Sequence, residues 1–333
     1  MRAKASLLCL VFVWLATQTR GQTPPAEGQS ATLQARLRKT VGFLRVEYLR
    51  GTETWEARGT CFFVSVEDER NGEKRRFGYL VTNRHVASPE EGGTKLHVLR
   101  TWLRLNLKQP VNGKESEEGL LQVGPDRHWF FPSDDSVDIA AFPVVPDVDR
   151  YDFQAIPLPM FATRDVIDAH HIEEGDRVLF AGFFYQLPGL KRVSPIVREG
   201  ILAMMPEVDM ETTMHKPGRV YLVDVHAFGG NSGAPVFIAM DSIKAGVLRL
   251  TGLGGPSSFP YRLLGVVSGY YYEDAQFKLT VATTLEGKTQ ANSGISIVVP
   301  AEQLKALLEL PELQRIRDAE VERQQLSKGL SKP

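Results

Sequence analysis

The strongest constraint on the fold is a series of short apolar runs, at 41–48, 60–66, 77–82, 96–105 and 139–145, separated by charged or glycine-rich connections such as 67–76 and 110–118, read as loops. Runs of this length, bounded by turn formers, read as strands. A second series follows at 177–184, 193–204, 219–225, 234–238, 263–272 and 294–299. Helical spacing emerges only over 301–323, through Leu304, Leu307, Leu308, Leu313 and Ile316, and Pro311 is expected to break that segment in two. The pattern predicts an all-β protein of barrel or sandwich type.

At 333 residues the chain exceeds one ordinary hydrophobic core. A polar, proline-bearing stretch at 146–174, read as irregular, separates the two strand series. The expected organisation is a signal peptide at 1–21, a flexible arm at 22–40, an N-terminal β-barrel at 41–155, a C-terminal β-barrel at 156–300, and a C-terminal helix and tail at 301–333 that frays from residue 324. The glycine-rich connection 239–261 is long enough to line or cover a site.

The N-terminus carries basic Arg2 and Lys4, a short apolar core at 6–16, and small residues Thr19 and Gly21 before an expected cleavage point. That is a secretory signal, and its core is too short to span a bilayer. No other long apolar segment follows, so the mature chain is expected not to cross a membrane. Cys9 lies within the signal and Cys61 is then alone, unable to form an internal disulfide. An exported chain without disulfides points to a bacterial periplasmic or extracellular setting. Cys61, inside a strand-like run, reads as a buried apolar thiol. With 39 basic and 40 acidic residues the net charge is −1, which argues against nucleic-acid or membrane-surface binding driven by bulk charge.

The chemistry concentrates at 226–237. There Gly229, Gly230 and Gly233 surround Ser232 between two apolar runs, and Ala234-Pro235 follow. Glycine lets a ligand approach the main chain closely. A serine hydroxyl beside free backbone N–H groups suits acyl transfer, in which the hydroxyl attacks a carbonyl and the amides hold the oxyanion. Asn292-Ser293-Gly294 offers an internal control, since it lacks the preceding glycines and the following proline, and it reads as a plain turn.

A serine nucleophile needs a base, and all seven histidines (His85, His97, His128, His170, His171, His215 and His226) precede it in the chain. That order excludes the α/β-hydrolase arrangement. His85 follows the apolar strand 79–82 and the polar residues Asn83-Arg84, which places it at a strand end facing a cleft. His128, beside Trp129, reads as a packing residue. His170 and His171 are adjacent and would diverge on a strand. No spacing fits a metal site, and no cofactor is expected. Asp138 lies against Val137, Ile139 and Ala140, where a carboxylate is costly unless paired; Asp134 and Asp135 lie in a polar loop. The order His85, Asp138, Ser232 is the chymotrypsin-type order.

These segments resemble the trypsin-like serine peptidases, and most closely the disulfide-free bacterial branch of HtrA/Deg and glutamyl-endopeptidase types. Residues 59–64 resemble the family's early strand, with Cys61 where glycine is commoner. Residues 80–86 resemble its base motif, 138–140 its acid motif, 174–182 the start of its second barrel, 230–235 its nucleophile motif and 294–308 its C-terminal close. The resemblance covers roughly 41–310 and includes no PDZ module. It implies two Greek-key β-barrels with a triad of His85, Asp138 and Ser232 in the cleft between them. It further implies an oxyanion hole from the N–H groups of Gly230 and Ser232, and a substrate-pairing strand at Ser268. The activity implied is hydrolysis of protein or peptide substrates through an acyl-enzyme.

Two departures stand out. Asn231 replaces the aspartate that captures a freed N-terminus in digestive zymogens, so activation by N-terminal insertion is not expected. His226 falls at the floor of the primary specificity pocket, where it either favours an acidic substrate side chain or is a neutral histidine hydrogen-bonded within a packed strand. Two other readings use the same site: a peptide-binding module of this fold that does not hydrolyse, and an esterase.

Overall fold

The computed structural model describes residues 13–15, 33–70, 72–124, 127–184, 191–240, 243–244, 247–248, 261–280 and 284–330. Most of the expected signal and arm, and most of the 239–261 connection, lie outside these residues.

The first half is a curled sheet. Its strands are β1 (Val41–Arg50), β2 (Glu53–Arg70), β3 (Glu73–Thr82), β4 (His97–Val111) and β5 (Lys114–Leu121), hydrogen-bonded in the order β3-β2-β1-β4-β5. β6 (Ala140–Pro143) adds to β3, and β7 (Ile156–Pro157) runs parallel to β2. Val13–Leu15 pairs antiparallel with β3. The connections over 67–76 and 110–118, read as loops, are largely strand, because the β2–β3 and β4–β5 hairpins continue almost to their tips.

The sheet buries both faces, which is why its central strands are continuously apolar. Cys61 and Phe63 of β2 point inward with Leu44, Leu80, Leu103 and Phe142. Their neighbours Phe62 and Val64 point the other way, into a second core with Phe77, Tyr79 and Val81. Side chains alternate across a strand, so two buried faces leave no polar position in the pattern. Cys61 is buried, and burial pushes its thiol pKa up, which makes it a packing residue.

The second half closes into a six-stranded barrel. Its strands are β8 (Arg177–Gly182), β9 (Ile196–Met204), β12 (Tyr221–Asp224), β13 (Pro235–Ala239), β14 (Tyr261–Thr280) and β15 (Thr284–Pro300). They pair in the order β8-β9-β12-β15-β14-β13, and the ring closes where β13 meets β8 at Val178 opposite Ile238. This is the chymotrypsin-like arrangement of two β-barrels with a C-terminal helix. A small hairpin, β10 (Met210–Glu211) with β11 (Pro217–Gly218), projects between β9 and β12.

Four local expectations are corrected. Asn292-Ser293-Gly294 is not a free turn; it sits within β15, opposite a register shift at Tyr270/Tyr272. The Asn292 side chain accepts from the Gly294 amide at 2.8 Å, and the Ser293 hydroxyl donates to the Tyr271 carbonyl at 2.9 Å, so the turn chemistry makes a bulge. The stretch 146–174 contains a helix at Arg164–His170, too short for its periodicity to register. Residues 33–40, placed in the flexible arm, form helix α1, with Leu37 buried and Lys39 paired to Asp152 at 2.7 Å.

The fourth concerns the C-terminus. Pro311 does divide two helices, Ala301–Leu308 and Pro311–Leu330, because proline is accepted in a first turn. The second helix continues into the segment expected to fray, as far as Leu330. Buried Arg317 anchors it by donating to the Tyr79 hydroxyl at 2.8 Å and to the Leu308 carbonyl at 2.9 Å, which docks the end of the second half onto the first.

Candidate active site

The base sits where β3 ends. Thr82 and Asn83 use their side chains on the backbone: the Thr82 hydroxyl donates to the Thr60 carbonyl at 2.8 Å, and the Asn83 amide to the Asp138 carbonyl at 2.7 Å. A one-turn helix, Arg84–Ala87, then carries His85, whose ring is partly open to solvent. Val86 and Ala87 anchor that turn in the first core.

Asp138 lies directly before β6 and is fully buried. Its Oδ1 accepts the His85 amide at 3.0 Å, and its Oδ2 accepts the His85 Nδ1 at 2.7 Å. Two hydroxyls from the second half also donate to Oδ2, Ser268 at 2.6 Å and Thr213 at 3.0 Å. Burial pushes the carboxyl pKa upward, but the His85 charge, the hydrogen bonds from the His85 ring and amide and the Ser268 hydroxyl outweigh it, so Asp138 stays below the usual carboxylate range. Burial pushes the imidazolium of His85 down, and the neighbouring Asp138 charge more than reverses this, raising the His85 pKa above 6.5. A buried acid that accepts from Nδ1 fixes the tautomer that leaves Nε2 free to take a proton.

Ser232 occupies the turn between β12 and β13. Asn231 shapes that turn: its side-chain oxygen accepts the Phe228 amide at 2.7 Å and its nitrogen donates to the Phe183 carbonyl at 2.5 Å. Gly233, at φ +85°, adopts a conformation that side-chain-bearing residues resist, and a β-carbon there would strike the Thr60 carbonyl and the Thr82 hydroxyl. The turn therefore presses against the first half with no side chain intervening.

That seam brings the sequence-derived residues together. The Thr60 amide donates to the Ser232 carbonyl at 2.8 Å. A β-carbon at Gly59 would lie 3.0 Å from the Ser232 carbonyl oxygen and 3.1 Å from the side chain of Val86, next to His85. His85 and Asp138 are directly bonded. The Ser232 hydroxyl points to the Ser268 carbonyl at 3.5 Å, and no hydrogen bond joins it to the His85 ring. Such bonds are often long until substrate seats. Among the described residues the amides of Gly230 and Ser232 have no acceptor, which leaves both free for an oxyanion.

Ser268 has a divided role. Its hydroxyl is buried and committed to Asp138, so only its main chain remains to pair with a peptide. His226 is exposed, with its ring over Gly294, where a β-carbon would lie 3.0 Å from Cε1. It makes no hydrogen bond within the described residues, so the packed-strand alternative does not hold. Its neighbour Phe228, at 6.3 Å between ring centroids, carries the Arg198 guanidinium 4.6 Å from its own centroid.

The sequence left Thr60 and Thr213 unnoticed. Thr60 is one polar residue in an apolar strand, and Thr213 lies in a polar loop; neither position carries a signal before the chain is folded.

No curated protein matches this chain. A solved structure, an HtrA-type protease AlgW with decapeptide, is similar at 14% identity with a TM-score of 0.45, over 83% of this chain and 66% of that one. The chain thus spans just under two thirds of the length of that protein. A family model for the trypsin-like peptidase domain matches residues 59–242, more than half of the chain. The matched region opens at Gly59 on the seam, takes in His85 and Asp138, and ends beyond the Ser232 turn, and on that match the chain belongs to the trypsin-like peptidase family.

Proposed function

We propose that this serine peptidase cleaves internal peptide bonds of protein or peptide substrates with Ser232 as nucleophile, His85 as general base and acid, and Asp138 as the residue that orients His85. His85 Nε2 removes the Ser232 proton as the hydroxyl oxygen attacks the scissile carbonyl. The amides of Gly230 and Ser232 receive the resulting oxyanion. The imidazolium, stabilised by Asp138, returns the proton to the leaving amine, and water then releases the acyl group by the reverse sequence. The substrate's main chain pairs with β14 at Ser268 and Gly269, as an added strand.

The observation that carries this reading is the His85–Asp138 bond of 2.7 Å beside a serine turn with two unused amides. A fluorophosphonate probe tests it. Wild-type protein is expected to be labelled, and Ser232→Ala, folded normally, is not. An unlabelled wild type would favour a peptide-binding module.

The exposed ring of His226 and the nearby Arg198 favour an acidic side chain immediately before the scissile bond. Cleavage of a peptide library is expected to show glutamate or aspartate there, and a flat profile discards that specificity.

A further inference from the structure

Thr213 lies in the connection between β10 and β11, on the second half of the molecule. Its hydroxyl donates to Asp138 Oδ2 at 3.0 Å and is also in hydrogen-bond contact with the Ser268 hydroxyl, which donates to the same oxygen. The His85 ring bonds there too. Three donors therefore meet on Oδ2, while Oδ1 takes a single amide. A carboxylate oxygen offers about two lone-pair directions, and hydroxyl hydrogens rotate to suit. Whether Thr213 donates to Oδ2 or through Ser268, the chain of donors runs toward Asp138 and is mutually reinforcing.

The connection is built to bring that hydroxyl in. The Tyr271 hydroxyl donates to the Glu211 carbonyl at 2.9 Å, and Lys216 forms an ion pair with Asp135, three residues from Asp138. A β-carbon at Gly269 would lie 2.6 Å from the Thr213 methyl, so glycine at that place on β14 makes room for the threonine. The other charged groups on these elements are engaged elsewhere: His215 Nδ1 with Glu211 at 3.1 Å, Arg84 with the Pro132 carbonyl at 2.7 Å, and Asp134 with the Ser136 amide at 2.9 Å.

We infer that Thr213 is a positioning residue for the Asp138–His85 pair, fixing from the far side of the seam the carboxylate oxygen that orients the imidazole. The inference rests on the catalytic roles proposed above. Without the hydroxyl, Oδ2 keeps two donors, carries more of its charge toward His85 and is less firmly held. His85 then protonates more readily and is less sharply aimed at Ser232. Substrate contacts are unchanged, because valine keeps the methyl that faces Gly269.

The test compares wild type, Thr213→Val, Thr213→Ala and Thr213→Ser. Turnover of a fluorogenic peptide gives kcat and KM, and an NMR titration of His85 in a Ser232→Ala background needs no turnover. Thr213→Val is expected to lower kcat about tenfold with KM within about twofold, and to raise the His85 midpoint by about half a pH unit; Thr213→Ser restores both. Thr213→Ala removes the hydroxyl without placing a methyl against the carboxylate, and serves if the valine variant does not fold. A His85 titration unchanged in the hydroxyl-free variants, a loss confined to KM, or a serine variant as impaired as valine overturns the inference. An unlabelled, inactive wild type would overturn the proposed chemistry instead, and the titration would still judge Thr213.

Discussion

Thr60 binds the Ser232 turn twice: its amide donates to the Ser232 carbonyl at 2.8 Å, and its hydroxyl donates to the Gly230 carbonyl at 2.7 Å. The same hydroxyl accepts the Phe183 amide at 3.0 Å. One buried threonine of β2 thus ties the proposed nucleophile and one of its oxyanion donors to the strand that packs beside His85. Thr60→Val leaves the buried Gly230 carbonyl and Phe183 amide without that partner. We expect a loss of about 1–3 kcal/mol in denaturant unfolding, with kcat falling more than KM rises because the Gly230 amide is no longer held in place. Wild-type stability and kcat in that variant would remove the tie from the account.

Asp138→Asn keeps the size of the side chain and presents an amide to His85, which favours the wrong tautomer. The expected drop in kcat is about 10⁴-fold, the size seen when a triad aspartate is so replaced. Steady-state kinetics with matched circular dichroism separates this from misfolding, since the buried site must still accommodate two hydroxyl donors.

The raised His85 pKa sets the acid side of the activity profile. The base works when neutral, so kcat/KM is expected to rise with pH to a plateau, with a midpoint above 6.5. The linked stability has the opposite sense for the two partners. The His85 contribution is fully present below its unfolded pKa and is lost as pH rises through its raised folded value. The Asp138 contribution is present above its unfolded pKa and is lost as pH falls through its lowered folded value. Comparing unfolding of wild type and Asp138→Asn from about pH 2 to about pH 9 checks both signs.

Asn231 is fully buried, with its oxygen on the Phe228 amide and its nitrogen on the Phe183 carbonyl. Asn231→Asp turns that second bond into a buried charge facing a carbonyl. The variant is expected to lose at least about 3 kcal/mol at neutral pH and to recover part of it as pH falls and the carboxyl protonates. A newly freed amine near Thr40 is not expected to alter wild-type activity, because the amide already has both partners; chemical acetylation of such an amine measures this.

Much of the chemistry was legible in residue order. His85, Asp138 and Ser232 stood out because each polar group interrupts or ends an apolar run, and because a serine among glycines has few uses. Strand positions were legible for the same reason, with errors where side chains at hairpin tips are charged, as in β2–β3, or where a helix is one or two turns long. The docked helix over 311–330 was only half visible: Leu313 and Ile316 showed the helix, while Arg317, which pins it to Tyr79, carries no signal in sequence that sets it apart from a solvated charge.

By itself the sequence determined the two strand series, the order of the three polar residues and the glycines that let a serine turn sit close to another backbone, because period, order and backbone freedom are local properties. Only the tertiary structure decided that Thr60, Thr213 and Ser268 converge on that turn and on Asp138, and that His226 faces solvent. Hydrogen bonds between residues 55 to 170 positions apart have no local signature; they exist only once two sheets have folded against one another.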